Sequence, residues 1–386
     1  MFVAKRKLFD GEQHGFDDSC IFALFLMILN KYNAMLHNRV DKRVLKQRLM
    51  EETFNRITIS FYRYVRIENP QEFRDRLYQE WDDLDCFGRI YIAREGINAQ
   101  MSVPEHNMNT FLEQLSQHKA LQDITIKYAV EDNGKSFYKL TMKVRPKIVA
   151  DGLDDGSYDV TNVGNHLDAL TFHELSQQDD TIVVDMRNHY ESEVGHFRGA
   201  ITPDADTFRE EIEIVTDILK DQKDRKVLLY CTGGVRCEKA SAYLKHQGFQ
   251  DVNQLHGGVI EYARKIKQLD LESNFIGKNF VFDERLGERI SDEIISRCHQ
   301  CGQPADRHTN CANDICHLLF IQCEECAAQH EGCCSDECRD IIHLPEEEQV
   351  ALRRKLSDKY AENKIFKSRL RPNLKKLNQK PVTAES

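Results

Sequence analysis

From residue 57 onward the chain alternates short runs rich in β-branched and aromatic residues with longer amphipathic stretches. ITISFYRYV at 57–65 and FGRIYIA at 87–93 read as strands, and INAQMSV at 97–103 alternates apolar and polar positions. Between the first two lies PQEFRDRLYQEWDDL, which opens on Pro70 and repeats Phe73, Leu77, Trp81 and Leu84 at helical spacing. A second helix is predicted after Pro104, with Met108, Phe111, Leu112 and Leu115 on one face, and strands at 124–130 and 137–144 close the unit. The β-α-β-β-α-β order predicts an α+β, ferredoxin-like domain over 37–148. A Gly/Asp-rich linker is predicted at 149–162. Beyond it, TIVVDMR at 181–187, KVLLYC at 226–231 and VNQLHGG alternate with helices near 205–219 and 237–247. Continuous apolar strands between helices predict an α/β domain over 163–275, its parallel sheet covered by helices on both faces.

At 386 residues a single core is excluded, and 41% hydrophobic with 30% charged residues excludes a fibrous or wholly disordered chain. The only long apolar run, at 20–29, is about half of a bilayer span and follows Asp17 and Asp18, so no membrane anchor is expected. KRK at 5–7 stands apart from that run and no A-x-A site follows it, which argues against a secretory signal. Residues 1–36 read as an extension, either an added helix or the product of an early start with Met35 as the true beginning.

The net charge of -10 is uneven: 0 over 1–36, +3 over 37–150, -21 over 151–350 and +8 over 351–386. RNA would be repelled by the middle and attracted by both ends. At the first end Lys139, Lys143, Arg145 and Lys147 recur at even spacing, one side of a continuous strand; a solvated sheet face is the competing reading. At the second, a basic tail over 346–386 offers Arg353, Arg354, Lys367, Arg369 and Arg371 for phosphate contacts, or merely solubilises the end.

The sequence KVLLYCTGGVRCEKAS puts Cys231 at the carboxyl end of a buried strand, followed by a Gly-containing loop and a helix, where open α/β sheets hold their ligands. Backbone N–H groups of Thr232, Gly233, Gly234 and Val235 would converge on one point, binding an anion and lowering the pKa of a thiol there. Arg236 adds a fixed positive charge, and the two glycines permit the turn. Cys237 is either a resolving thiol or a core cysteine.

Nine of the thirteen cysteines crowd into a Cys-rich module over 276–345, as Cys298-x2-Cys301, Cys311-x4-Cys316, Cys323-x2-Cys326, Cys333, Cys334 and Cys338. That clustering indicates metal binding or redox chemistry in a reducing compartment, hence the cytoplasm, rather than disulfides. Eight sulfurs would fill two all-cysteine zinc sites; the ninth is spare, and His299, His308 or His317 could replace a sulfur. An iron-sulfur cluster competes. No dinucleotide fingerprint is present, so no flavin or nicotinamide is expected.

DMRNHYESEVGHFRGA at 185–200 followed by CTGGVR at 231–236 resembles a rhodanese domain, with Asp185 and Arg187 matching its Asp-x-Arg element and Cys231 its sulfur-carrying nucleophile. In that superfamily the six-residue loop goes with sulfur rather than phosphate chemistry, which disfavours a phosphatase. With FGRIYIAREGINAQMSVP, CTGGVRCEKAS, FIGKNFVFDERLGERISDEII and HLLFIQC added, residues 36–370 resemble the bacterial rhodanese-containing tRNA uridine hydroxylases. The resemblance implies tRNA as partner, dioxygen as co-substrate and formation of 5-hydroxyuridine at position 34; the electron donor is not implied. Cys231 would then add to the uracil ring or carry a persulfide. Two alternatives stay open: a sulfurtransferase relaying sulfur to an acceptor, and a zinc-dependent RNA-binding module with a non-catalytic rhodanese scaffold.

Overall fold

Helix α1 (Lys42–Glu51), capped by Asp41, leads into β1 (Arg56–Tyr64) of the first domain. The structure, a computed structural model, describes residues 40–154, 156–356, 365–367 and 374. The expectations for residues 1–36, Arg369 and Arg371 lie outside the described residues.

Helix α2 (Pro70–Asp82) starts at its proline, with the Asn69 side chain accepting from the Glu72 N–H. The hairpin β2 (Phe87–Ala93) and β3 (Gly96–Pro104), helix α3 (Met108–Gln117), β4 (Lys127–Tyr128) and β5 (Leu140–Val144) complete the domain. The sheet order is β4-β1-β3-β2-β5, with β2 and β5 parallel and every other neighbouring pair antiparallel. Its first four strands have the ferredoxin-like arrangement; β5 adds an edge strand beside β2. Ile59, Phe61, Ile90, Ile92, Ala99 and Met101 bury one sheet face against α2 and α3, around Trp81 and Phe111. Burying that apolar face fixes the register, because a one-residue slip would turn it to solvent.

The Gly/Asp-rich segment expected as a linker is pinned rather than loose. Asp151 is buried between Lys147 (2.7 Å) and Lys239 (2.8 Å), and Val149 and Leu153 pack on the second domain's core.

The second domain contains β6 (Asn165–Leu167), α4 (Ala169–Leu175), β7 (Thr181–Asp185), α5 (His189–Ser192), β8 (Gly195–Phe197), α6 (Phe208–Leu219), β9 (Lys226–Tyr230), α7 (Val235–His246), β10 (Asp251–Leu255) and α8 (Gly258–Gln268). Its parallel sheet runs β6-β10-β9-β7, with separate apolar clusters on its two faces. Strand β11 (Phe275–Asn279) crosses the expected boundary at 275: it pairs with β8 behind it and with β12 (Glu288–Arg289) ahead of it.

The cysteine module holds the hairpin β13 (His308–Asn310) and β14 (Leu319–Ile321), then α9 (Glu324–Gln329), α10 (Asp336–Ile342) and α11 (Glu346–Leu356). The tail is not wholly free, since Phe366 and Leu374 are buried in this module's core. No helix among the described residues is long and apolar enough to cross a membrane.

Candidate active site

Cys231 follows β9 directly and α7 begins four residues later, so the intervening loop folds over the strand's carboxyl end. Gly234 caps α7 at φ 98°, a conformation costly for other residues, and its N–H donates to Cys231 Sγ at 3.1 Å. A Cβ there would stand 2.8 Å from the Tyr62 hydroxyl. Gly233 needs no such conformation; it lines the cavity, and an added Cβ would meet nothing within 4 Å. The first turn of α8 holds the loop from behind. The N–H groups of Val259 and Ile260 donate to the carbonyls of Cys231 (3.0 Å) and Thr232 (3.2 Å). A Cβ at Gly258 would lie 2.5 Å from the Cys231 oxygen, so only glycine allows this approach.

Cys231 and Cys237 are both buried. Burial alone would push the Cys231 thiol up; a hydrogen bond from the Cys237 thiol, the Arg236 charge and the N–H groups of Cys237 and Arg236 overcome it and hold Cys231 at about 5. Burial and the donation to Cys231 push Cys237 well above its ordinary value. The site therefore presents one thiolate and one thiol at neutral pH.

Arg236 forms a two-pronged pair with buried Glu191 at 2.6 and 2.9 Å, and the Thr232 hydroxyl donates to the same carboxylate. Asp185 and Arg187 sit apart from the loop mouth as a fully buried pair. Arg187 also donates to the Gly195 carbonyl, and the Tyr230 hydroxyl to Asp185 at 2.7 Å, which fastens β8 to the parallel sheet.

Above the thiolate lies a cavity of about 430 Å³, a size that suits a small ligand. Its far wall is the first domain's polar sheet face, contributing Ser60, Tyr62, Arg89, Tyr91, Asn98, Gln100 and Lys127. The Tyr62 hydroxyl donates to Glu238 at 2.8 Å and the Tyr64 hydroxyl to the Val235 carbonyl at 3.1 Å, so the first domain holds the first turn of α7, which carries the loop. Lys127 is buried 4.5 Å from the Tyr62 ring centroid; burial pulls its pKa down to about 8, against the pull of Cys231, Glu261 and Glu238. Sequence reasoning missed this wall because it lies more than 100 residues from Cys231; its signal was the polar alternate positions of the TISFYRY and GINAQ strands.

The cysteines sort into two quartets: Cys298, Cys301, Cys323 and Cys326, and Cys311, Cys316, Cys334 and Cys338, with the ligand atoms of each within 4.8 Å of one another. Sulfur pairs at 3.6, 3.7 and 3.8 Å match the edge of roughly 3.8 Å expected for a tetrahedron with metal–sulfur bonds of about 2.3 Å. The residues fit one thiophilic ion per quartet. Cys333 is buried outside both. No histidine is needed: His299 pairs with Glu193, and His317 with Asp314.

Of the expected RNA contacts, Lys143 lies on β5 and is exposed, as is Arg145 just past its end. Lys147 is tied to Asp151, and Lys367 to Asp206. Arg353 and Arg354 are exposed on α11.

Three family models match in tandem: "UPF0176 acylphosphatase like domain" over 56–148, "Rhodanese-like domain" over 168–265 and "Rhodanase C-terminal" over 276–339. A curated relative from Leptospira interrogans named "tRNA uridine(34) hydroxylase" is 56% identical over 343 residues, covering 89% of this chain and 93% of the relative. A second of that name, from Photorhabdus laumondii, is 54% identical, covering 83% and 91%. The chain belongs to the tRNA uridine(34) hydroxylase family. Within this tRNA uridine(34) hydroxylase family member, the three matched stretches fall on its ferredoxin-like, rhodanese and cysteine-rich regions.

Proposed function

We propose that this chain hydroxylates uridine 34 of tRNA at C5, with the Cys231 thiolate as nucleophile. The supporting observation is a thiolate held at about 5 in the floor of a cavity walled by aromatic rings and cations. A base must leave its stack to reach such a site, and an anticodon-loop base does so at small cost. Addition of Sγ to C6 moves an electron pair toward C5 and O4, making C5 nucleophilic. Lys127, on the cavity wall, is suited to bear the charge developing on the ring oxygen. C5 then bonds to oxygen, and loss of the C5 proton with expulsion of Sγ restores the ring. The base loses two electrons. Dioxygen accepts four, so one oxygen leaves as water on two protons and two electrons from an external reductant of the thiol class.

The thiol quartets support one zinc ion each, as structural sites closed to substrate that stabilise the fold of the module. An iron-sulfur cluster places several atoms between its thiolates, and quartets this tight disfavour it.

Nucleoside mass spectrometry of tRNA tests the reading, using cells that lack the protein and are complemented with wild type or Cys231→Ser. Wild type alone should restore a uridine-plus-oxygen signal. An equal signal in all strains would end the reading.

A further inference from the structure

The registers of β4, β1, β3, β2 and β5 align two rows across the first domain's polar face. One runs Lys127, Ser60, Gln100, Arg89, Thr141; the next runs Tyr62, Asn98, Tyr91, Lys143. Neither contains a carboxylate. The opposite face of the same strands is the apolar core, so this polarity is not needed to fold the sheet.

The rows continue past the candidate active site. Their positions on β4, β1, β3 and β2 line the cavity, whereas Thr141 and Lys143 do not and lie on β5 at the sheet's edge. Adjacent positions in a row stand roughly 4.8 Å apart, which puts Tyr91 about 10 Å from Tyr62 and the loop it touches. Arg145, one residue past β5, places its guanidinium 5.8 Å from the Tyr91 ring centroid.

Charge selects the occupant. Arg89, Lys143 and Arg145 are exposed and make no ion pair among the described residues, in a chain whose net charge is -10. The cavity's acids are already matched: Asp283 and Glu288 to Arg285, and Asp206 to Lys367. Unmatched cations beside a half-buried tyrosine on an open sheet form the arrangement that binds single-stranded nucleic acid, with rings under bases and cations along the backbone.

We propose that this face is a platform for the single-stranded anticodon loop, on which Tyr91 stacks the base next to the target and Lys143 and Arg145 hold its phosphates. The proposal rests on the function above for the identity of the RNA. It adds a second place where the RNA is held, running from Tyr91 in the cavity wall to Lys143 and Arg145 beyond the cavity at the sheet's edge.

The test uses the full chain and an anticodon stem-loop hairpin carrying uridine at position 34, with binding read by fluorescence anisotropy independently of product. Tyr91→Ala should weaken binding about tenfold or more, and Tyr91→Phe, which keeps the ring, should restore most of it. Lys143→Ala should weaken binding and lower the salt slope by about one. Melting curves confirm that each variant is folded. Binding by Tyr91→Ala within twofold of wild type, or a Phe variant as weak as the Ala one, would overturn the platform. If these ring and charge dependences appear but wild type hydroxylates no uridine in cells, the platform stands and the activity falls.

Discussion

Cys231 shows how a buried sulfur is kept ionised. A wholly apolar surround would leave a neutral thiol; here four donors and one guanidinium face the sulfur, and the thiolate is the favoured form. An anion-favouring loop around Cys231 was legible in KVLLYCTGGVRCEKAS, because strand, glycine turn, arginine and helix N-terminus are contiguous, but of the N–H groups expected from Thr232 to Val235 only that of Gly234 is among the donors, the others coming from Arg236 and Cys237. The contributions of Tyr62 and Gly258 were not legible, since they come from a distant domain and a separate turn and act only through close approach. Cys237 was legible as a cysteine but not as the hydrogen-bond donor that its place in the first turn of α7 makes it. The pH dependence follows. Cys231 is ionised when folded down to about 5, whereas an unfolded thiol ionises only near 8.5. It therefore contributes stability that is full above the unfolded value and is lost as pH falls through about 5. Alkylation by iodoacetamide, followed by mass spectrometry of the Cys231 peptide, should show half-maximal rate near pH 5. Cys237→Ala should move that midpoint upward, because it removes the strongest of the groups favouring the thiolate; an unmoved midpoint would refute that role.

Among the elements, those with a continuous pattern were legible and those made by pairing were not. β1, α2, β2 and β3 lie where periodicity placed them, but the run expected as a strand at 124–130 pairs only over Lys127–Tyr128. The final strand begins at Leu140 rather than 137, because only from there does it find β2 as a partner. Composition marked 149–162 as a linker, and the buried Asp151 between two lysines is a tertiary fact that composition cannot carry. The cysteine spacings gave the ligand supply but not its partition: the quartets interleave, Cys298 and Cys301 joining Cys323 and Cys326 while Cys311 and Cys316 join Cys334 and Cys338, and α10 brings Cys338 to Cys334. That partition predicts metal content. Purified protein should hold two zinc ions per chain by elemental analysis, and Cys298→Ser should lose one of them together with thermal stability. Cys333→Ser should retain both, and loss of an ion from that variant would show the quartets to be misassigned.

On the proposed function, the whole molecule must hold a polyanion against a middle segment carrying -21. Counting lysines and arginines does not reveal how, because many are already spent: Lys147 and Lys239 fasten the linker, Arg187 and Arg236 neutralise buried acids, and Lys367 pairs with Asp206. The cations left for RNA are those that fold and core do not use. At the far end these include Arg354, exposed in the last turn of α11 with no ion pair among the described residues, and Arg353, only 3.7 Å from exposed Asp314. Removing the tail outright would confound the question, since Phe366 and Leu374 belong to the module's core. Single charge changes separate the roles. Each phosphate contact contributes close to one unit to the slope of log affinity against log salt. Arg354→Gln should weaken tRNA binding in low salt and flatten that slope by about one, with the melting temperature unchanged. Lys147→Gln should do the reverse, leaving Asp151 with one cation fewer, lowering the melting temperature and sparing the slope. If both variants flatten the slope alike, the division between structural and free cations drawn from these ion pairs is wrong, and the RNA reaches the linker as well as α11.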